Sequence, residues 1–458
     1  MEEQNNSLTE SPAEGAFYSQ DGSIDEMEIV TVTGQKIDVK KILLEFSYYE
    51  DIFSFVVSGY IILRDGLGLI EKLELTGKEF INITFGKAKG LPDRLNNTST
   101  FRIYAIPKRT PGGDNSSEEF IKLYFCSEEL MLSEQTKITK SYSGKAIYEI
   151  VQDVLLNNLK VKSEKVYIEP TYGLYDFNVN TLKPFETISW VSCYAKPASD
   201  NTIGADMLLY ETKTGFNFRS ISSLMKQPVF NTYTYQPKNL QQSDFANQLT
   251  TVLDYEFIKS FNSLEDINSG TFANRLISLD PLNRTVKVTN FDYAKYLGQT
   301  GGTSSLATAP NRLGKTQNQS YLGTLKMAVG NSGQKQKEYV QEGLDSLAND
   351  IYLETFVPNR TAQLSLATYT RVKIRIPGDS TITVGKTINF NLASLSASNG
   401  EKTLDMYNSG KYLVVAVRHI IQSQGAFQTI LEIAKDKPKN SYRSIDNSNL
   451  NYKEASAE

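Results

Sequence analysis

A side-chain period of two over residues 381–436 constrains this chain more than any other feature. Leu413, Val415, Val417, His419 and Ile421 share one face of an extended segment, and Val414, Ala416, Arg418 and Ile420 share the other. Alternation of this kind, rich in β-branched residues and bounded by Asn-Ser-Gly and Ser-Gln-Gly turns, fits a strand and no helix. Residues 384–390 and 427–434 alternate in the same way, so the stretch reads as a three-stranded antiparallel meander with one long polar loop.

Residues 76–128 repeat the order: strand, polar loop, strand, polar turn, strand. Gly77-Lys78-x-x-Ile81-Asn82 also echoes Gly385-Lys386-x-Ile388-Asn389, with an offset of one residue. Meanders resemble one another, so the echo has two explanations, common build or a duplicated unit. Duplication would give two copies of a small β-barrel in one chain.

The rest of the 458 residues fits around these two units. Residues 1–26 are expected to be a disordered acidic tail: 1–28 hold eight acids and no Lys or Arg, which leaves the remainder mildly basic. Residues 27–128 form the first tube-like barrel domain. From residue 129 to 245 the period changes to 3.6, with Ile147, Ile150, Val151, Val154, Leu155 and Leu159 on one helical face and a second helix opening at Pro184. A hairpin over 206–219 makes this region an α+β insertion domain. Residues 246–337 hold short strands (251–259 and 283–291) and a Gly/Ser/Thr/Asn/Gln-rich loop over 297–335. Residues 338–437 supply a helix and the second tube-like barrel, and 438–458 a flexible tail. The fold class is therefore β-rich α+β, with two antiparallel β-barrel domains and one insertion.

Chemistry finds little footing. Ala309-x-x-x-x-Gly314-Lys315-Thr316 has phosphate-loop spacing but lacks the buried strand before it and the helix after it that such a loop needs. Gly66-x-Gly68 opens like a dinucleotide fingerprint, yet Glu71 replaces the third glycine within an antiparallel pattern. His419 is the only histidine, and on an apolar strand face it reads as a packing residue. Cys126 and Cys193, both in apolar surroundings, read as buried free thiols. Asp345, Asp350 and Glu354 belong to a mixed-charge helical face. No catalytic, cofactor-binding or metal-ligating residue is assigned, and the chain is read as no enzyme. The mild charge lacks the clustered basic face of a nucleic-acid binder. No apolar run has the ~18 residues of a membrane span, so no membrane insertion is expected. The N-terminus lacks the basic start and apolar core of a secretory signal.

The order of elements resembles the baseplate hub proteins of contractile-tailed bacteriophages, and is similar to the hub portion of type VI secretion spike proteins. Three places carry the resemblance: FSYYEDIFSFVVSGYIILRDGLGLIEKLELTGKEFINITF, the helices from Gly144-Lys145-Ala146-Ile147 and from Pro184-Phe185-Glu186, and TVGKTINF…YLVVAVRHIIQ…FQTILEIA. It spans residues 27–437 and rests on order and periodicity. It implies a homotrimer in the virion baseplate, assembled in the host cytoplasm, that adapts a sixfold tail tube to a threefold central spike protein. It also implies tail tube, baseplate wedge and tape-measure proteins as neighbours, and DNA as passing cargo. A tail-associated glycan-binding or glycan-degrading β protein is the alternative. A single tryptophan, on an apolar helix face, counts against it.

Overall fold

Fourteen strands join one sheet in the computed structural model of the chain. The structure describes residues 22–435 except 88–98, 113–117, 200–204, 236–248, 281–284, 293–324, 330–359, 395–403, and short runs or single positions within 67–74, 261–272, 361–368, 406 and 424. The acidic segment 1–21, most of the 297–335 loop with its Gly314-Lys315-Thr316 motif, the helical region around Asp345, Asp350 and Glu354, and the tail after 435 lie outside the described residues.

The first half of the sheet comes from β1 (Gly22–Val30), β2 (Lys36–Asp38), β3 (Leu43–Asp51), β4 (Ser58–Asp65), β5 (Phe80–Lys87), β6 (Ser99–Pro111) and β7 (Glu119–Cys126). Their spatial order is β3-β4-β7-β6-β5-β1-β2. β1 starts at Gly22, a few residues before the expected boundary at 27.

After β7 come α1 (Glu128–Gln135), β8 (Ile138–Lys145), α2 (Ile147–Asp153) with a further π-turn over Val154–Asn158, β9 (Val166–Ile168), β10 (Thr171–Tyr172), β11 (Tyr175–Leu182), α3 (Pro184–Ser192), β12 (Lys196–Pro197), β13 (Met207–Thr212), β14 (Gly215–Ser220) and α4 (Ile221–Lys226). Local chemistry sets the helix starts. Pro184 takes the first turn of α3, where its missing N–H costs nothing, and Glu186 Oε2 accepts the Lys183 N–H at 3.1 Å. Glu149 does the same for Ala146 at the head of α2. The apolar faces read from the sequence, among them Ile147, Ile150, Val151, Phe185, Ile188 and Val191, pack into one insertion core.

The second half of the sheet holds β15 (Val229–Tyr235), β16 (Thr251–Val252), β17 (Asp254–Lys259), β21 (Thr370–Pro377), β22 (Thr387–Leu392), β23 (Gly410–Gln422) and β24 (Phe427–Lys435). β15, which falls inside the expected insertion, adds in parallel to β22. Between them in sequence, β18 (Ala273–Asp280), β19 (Thr285–Asp292) and β20 (Leu325–Val329) form a separate three-stranded sheet, so the expected polar loop contains a strand.

Two separate closed barrels are not what the ladders form, and no closed barrel is found among the described residues. The reason is that β23 serves both half-sheets. Its first residues pair with β22 (Phe390↔Gly410 to Thr387↔Leu413), but Ala416 to Gln422 run on against β3. A strand of thirteen residues outreaches its own unit and carries the sheet into the other. Three cores result, one per half-sheet and one in the insertion.

Candidate assembly surface

The two half-sheets are built alike to the level of register. β5-β6-β7-β4-β3 and β22-β23-β24-β21-β17 follow the same order. Ile81↔Phe101 and Phe80↔Arg102 in the first unit answer to Ile388↔Tyr412 and Thr387↔Leu413 in the second. Arg102↔Cys126 and Ile103↔Phe125 answer to Leu413↔Ala434 and Val414↔Ile433, and the ladder then shifts at the same place, Ile103/Ala105 and Val414/Ala416. Cys126 pairs onward with Ser58 as Ala434 pairs with Arg371, and Tyr48↔Gly59 matches Phe257↔Val372. Gly77 and Gly385 enter the two meanders with φ of +84° and +81°, a left-handed turn that glycine adopts at little cost. A slip of one residue would send every apolar side chain to the other face, so shared register and a shared bulge define a shared inward pattern.

The units differ in what flanks them. β1 runs antiparallel to β5, whereas β15 runs parallel to β22.

Where the units meet, β3 lies beside the second half of β23, with Arg418↔Tyr49, His419↔Tyr48, Ile420↔Ser47 and Gln422↔Glu45 in register. Arg418 stitches the outer face, reaching Tyr60 Oη at 2.8 Å, Ser47 Oγ at 3.1 Å and Glu45 Oε1 at 3.5 Å. The inner face holds a polar cluster, buried at Glu50, His419, Thr429 and Asp379, that the half-buried Lys213 of the hairpin turn between β13 and β14 completes. Lys213 Nζ donates to the Ser380 carbonyl at 2.6 Å and lies 3.1 Å from His419 Nε2. His419 Nδ1 meets Thr429 Oγ1 at 3.0 Å, and Thr429 also accepts the Asp379 N–H. The Glu50 carboxylate accepts from Lys213 N–H, Val384 N–H and Tyr48 Oη–H at 3.0–3.1 Å.

Burial governs the protonation of this cluster. It pushes the Lys213 ammonium down to about 8, against the pull of Glu50 and Asp379. It holds the His419 imidazole well below its ordinary range, and the charge of Lys213 lowers it further. A neutral His419 can accept at Nε2 from the ammonium and donate at Nδ1 to Thr429. Burial also raises Glu50, offset by the charge of Lys213 and the three bonds it accepts. Every member is spoken for by a neighbour. At 0% exposure His419 is out of reach of a substrate, and it packs as the sequence reading expects.

A second, half-buried carboxylate ties the first unit to the insertion. Glu211 of β13 accepts from Val57 N–H at 2.9 Å and from the Ser127 hydroxyl. Burial pushes it up to about 8, and the nearby Glu129 charge adds to the effect.

Of the residues weighed for chemistry in the sequence, only His419 enters the junction. Gly66 follows the end of β4, in an antiparallel setting with no dinucleotide turn. Cys126 is buried, but Cys193 is exposed, because it caps α3 one residue past the face that packs inward. Trp190 packs edge-on against Phe177 at 5.1 Å. Glu50, Lys213, Asp379 and Glu211 went unnoticed in the sequence: Lys213 reads as a turn residue of a Thr-Lys-Thr-Gly hairpin, and nothing local brings it to Glu50. Among the described residues no group of three or more His, Cys, Asp or Glu could hold a metal, and no helix is long and apolar enough to cross a membrane.

Two register-matched units sharing one junction are the distinctive feature of this sheet. No protein-family model matches the chain. It is similar to a probable baseplate hub protein of Vibrio phage KVP40, 23% identical over 401 residues that cover 84% of this chain and 88% of that one. Its fold matches the tail protein from Neisseria meningitidis at a TM-score of 0.50 and 8% identity, covering 90% of this chain and 96% of that one. It also matches a prophage MuSo2 tail protein from Shewanella oneidensis at 0.51 and 7% identity, covering 90% and 99%. The resemblance read from element order thus meets a baseplate hub relative and the β-rich fold of phage tail proteins.

Proposed function

We propose that this chain is a structural subunit of a phage tail baseplate: a homotrimeric hub that adapts a sixfold tail tube to a threefold central spike. The observation that carries the reading is the register-matched pair of units. A subunit with two equivalent sheet units, trimerised, presents six equivalent positions around an axis while keeping threefold symmetry overall. The similarity to a probable baseplate hub protein supports the same placement. In this reading each unit is a tube-like barrel domain completed within the ring, the ring surrounds a channel for the genome and the tape-measure protein, and the spike, tube and wedge proteins are the neighbours. The mutually satisfied junction cluster supports a structural role over catalysis, since Glu50 and His419 are buried and Lys213 is engaged by both.

Mass measurement of the purified protein, with electron-microscope images of the particle, tests the proposal. A stable threefold assembly with pseudo-sixfold rings is the expected result. A monomer that binds or cleaves glycans would overturn it in favour of the glycan-directed alternative.

A further inference from the structure

The outer face of the first half-sheet carries cations that no carboxylate among the described residues answers. On β21 of the second unit each cation lies within 4.0 Å of an acid: Arg371 of Glu432, Lys373 of Glu256 and Arg375 of Asp254. On β6 and β7 Arg109 alone has such a partner, Glu119, and Arg102, Lys108 and Lys122 have none among the described residues. Lys108 and Lys122 also stand directly opposite each other in the ladder, where like charges destabilise a strand pair unless an anion joins them. Arg102 lies 4.4 Å over the Phe80 ring, and its Nε has no acceptor.

Aromatic rings share that face. Tyr104 and Tyr60 each adjoin Tyr124 at 6.1 Å, and Lys122 Nζ sits 3.7 Å from the Tyr60 ring centroid. Tyr104 is 47% exposed. A face of this make-up suits an acidic segment that carries aromatic residues of its own. We propose that residues 1–21, the acidic segment before β1, lie across it, with carboxylates on Lys122 and Lys108 and the Phe17-Tyr18 pair against the tyrosines. The segment holds five acids (Glu2, Glu3, Glu10, Glu14 and Asp21) and no Lys or Arg.

The segment leaves the sheet at the right place. Gly22 N–H donates at 2.7 Å to the carbonyl of Gly425, in the turn that follows β23. The last residue of β23, Gln422, heads a row that crosses the face in register: Gln422, Glu45, Ile62, Lys122, Lys108. Four strand spacings make that row about 19 Å long. Eight residues from Glu14 to Gly22 span up to about 26 Å, and twelve from Glu10 up to about 40 Å, so Glu14 reaches Lys122 and Glu10 reaches Lys108. Glu45 is no obstacle, since it already accepts from Tyr60 Oη at 2.6 Å and from Arg418 at 3.5 Å. A polyphosphate would also suit the cations, but a tethered segment competes at a roughly millimolar effective concentration. The segment thus screens the face, and an acidic partner has to displace it to reach the sheet.

Zero-length coupling with a carbodiimide tests it, because that reagent joins a carboxylate to an amine, with loss of water, only where the two are in ion-pair contact. It is applied to the full-length protein prepared from mixed isotopically light and heavy chains, and the peptides are read by mass spectrometry. Lys140–Asp153 and Lys183–Glu134, each 2.7 Å apart, are the internal controls. Amides from Glu10 or Glu14 to Lys108 or Lys122, within chains of one isotope, are the expected result. A Lys108→Gln, Lys122→Gln variant should lose them, and a Glu-specific protease should then cut after Glu10 and Glu14 about three- to fivefold faster than in the parent. Control amides without any from the segment overturn the proposal, as do segment amides spread equally over Lys40, Lys41 and Lys72, which lie off this face. Amides that join light chains to heavy ones place the segment on a neighbouring copy and overturn docking within the chain.

Discussion

Replacing Lys213 by Met removes the cation that bonds within the cluster between the two sheet units and keeps the volume nearly constant. The Ser380 carbonyl and His419 Nε2 then lose a donor at 2.6 and 3.1 Å, and Glu50 is left buried without its neighbouring positive charge. Breaking a buried charge cluster from one side costs about 3–5 kcal/mol. For a unit of roughly 150–250 residues that lowers the midpoint of thermal unfolding by about 6–20 °C. Calorimetry or circular dichroism of Lys213→Met, Glu50→Gln and the double variant measures it. The double variant should lose at least about 1 kcal/mol less than the sum of the singles, because each single strands the other charge. The pH dependence gives an independent reading. Lys213 titrates near 8 in the fold and near 10.5 when unfolded, so between those values the unfolded chain holds a proton that the folded one has released. Stability contributed by this group therefore rises with pH from 8 to 10.5, and Lys213→Met should lose that rise. A midpoint within about 2 °C of the parent, or singles that simply add, would refute the coupling.

Glu211 has the opposite sign: held near 8 against an ordinary 4.5, it keeps its proton in the fold while the unfolded chain gives it up. Stability should fall as pH rises from 4.5 to 8, and Glu211→Gln, which can still accept from Val57 N–H and Ser127, should flatten that fall and gain up to about 4 kcal/mol at pH 8 in denaturant titrations. Gly59→Ala would place a Cβ 2.3 Å from both the Ser47 carbonyl oxygen and the Phe125 ring, so soluble yield should collapse or stability drop by at least about 3 kcal/mol. Arg418→Ala removes the bonds to Tyr60, Ser47 and Glu45 that span the internal junction. It should cost about 1–3 kcal/mol and raise protease sensitivity of β3 and β23 together, with no change at β13–β14.

Much of the local build is written in the chain itself. The alternation at 413–421 specifies β23, and the faces of 147–159 and 185–191 specify α2 and α3, because a period of 2.0 or 3.6 follows from backbone geometry whatever the surroundings. The echo between Gly77-Lys78 and Gly385-Lys386 hinted at two like units, and the matched registers and paired positive φ values bear out that likeness. Neither the fate of the strand ends nor the partners of buried charges could be read there. That β23 leaves β22 and runs on beside β3 depends on which strand the fold brings to its edge, since β6 is equally long, and no local pattern records it. That Lys213 in a surface-looking hairpin ends up against His419 and beside Glu50 depends on contacts more than 160 residues apart in sequence. Periodicity fixed which face of each strand turns inward. The tertiary structure decided which strand lies beside which, because backbone hydrogen bonds at a sheet edge are the same for every sequence and only the assembled fold selects among them.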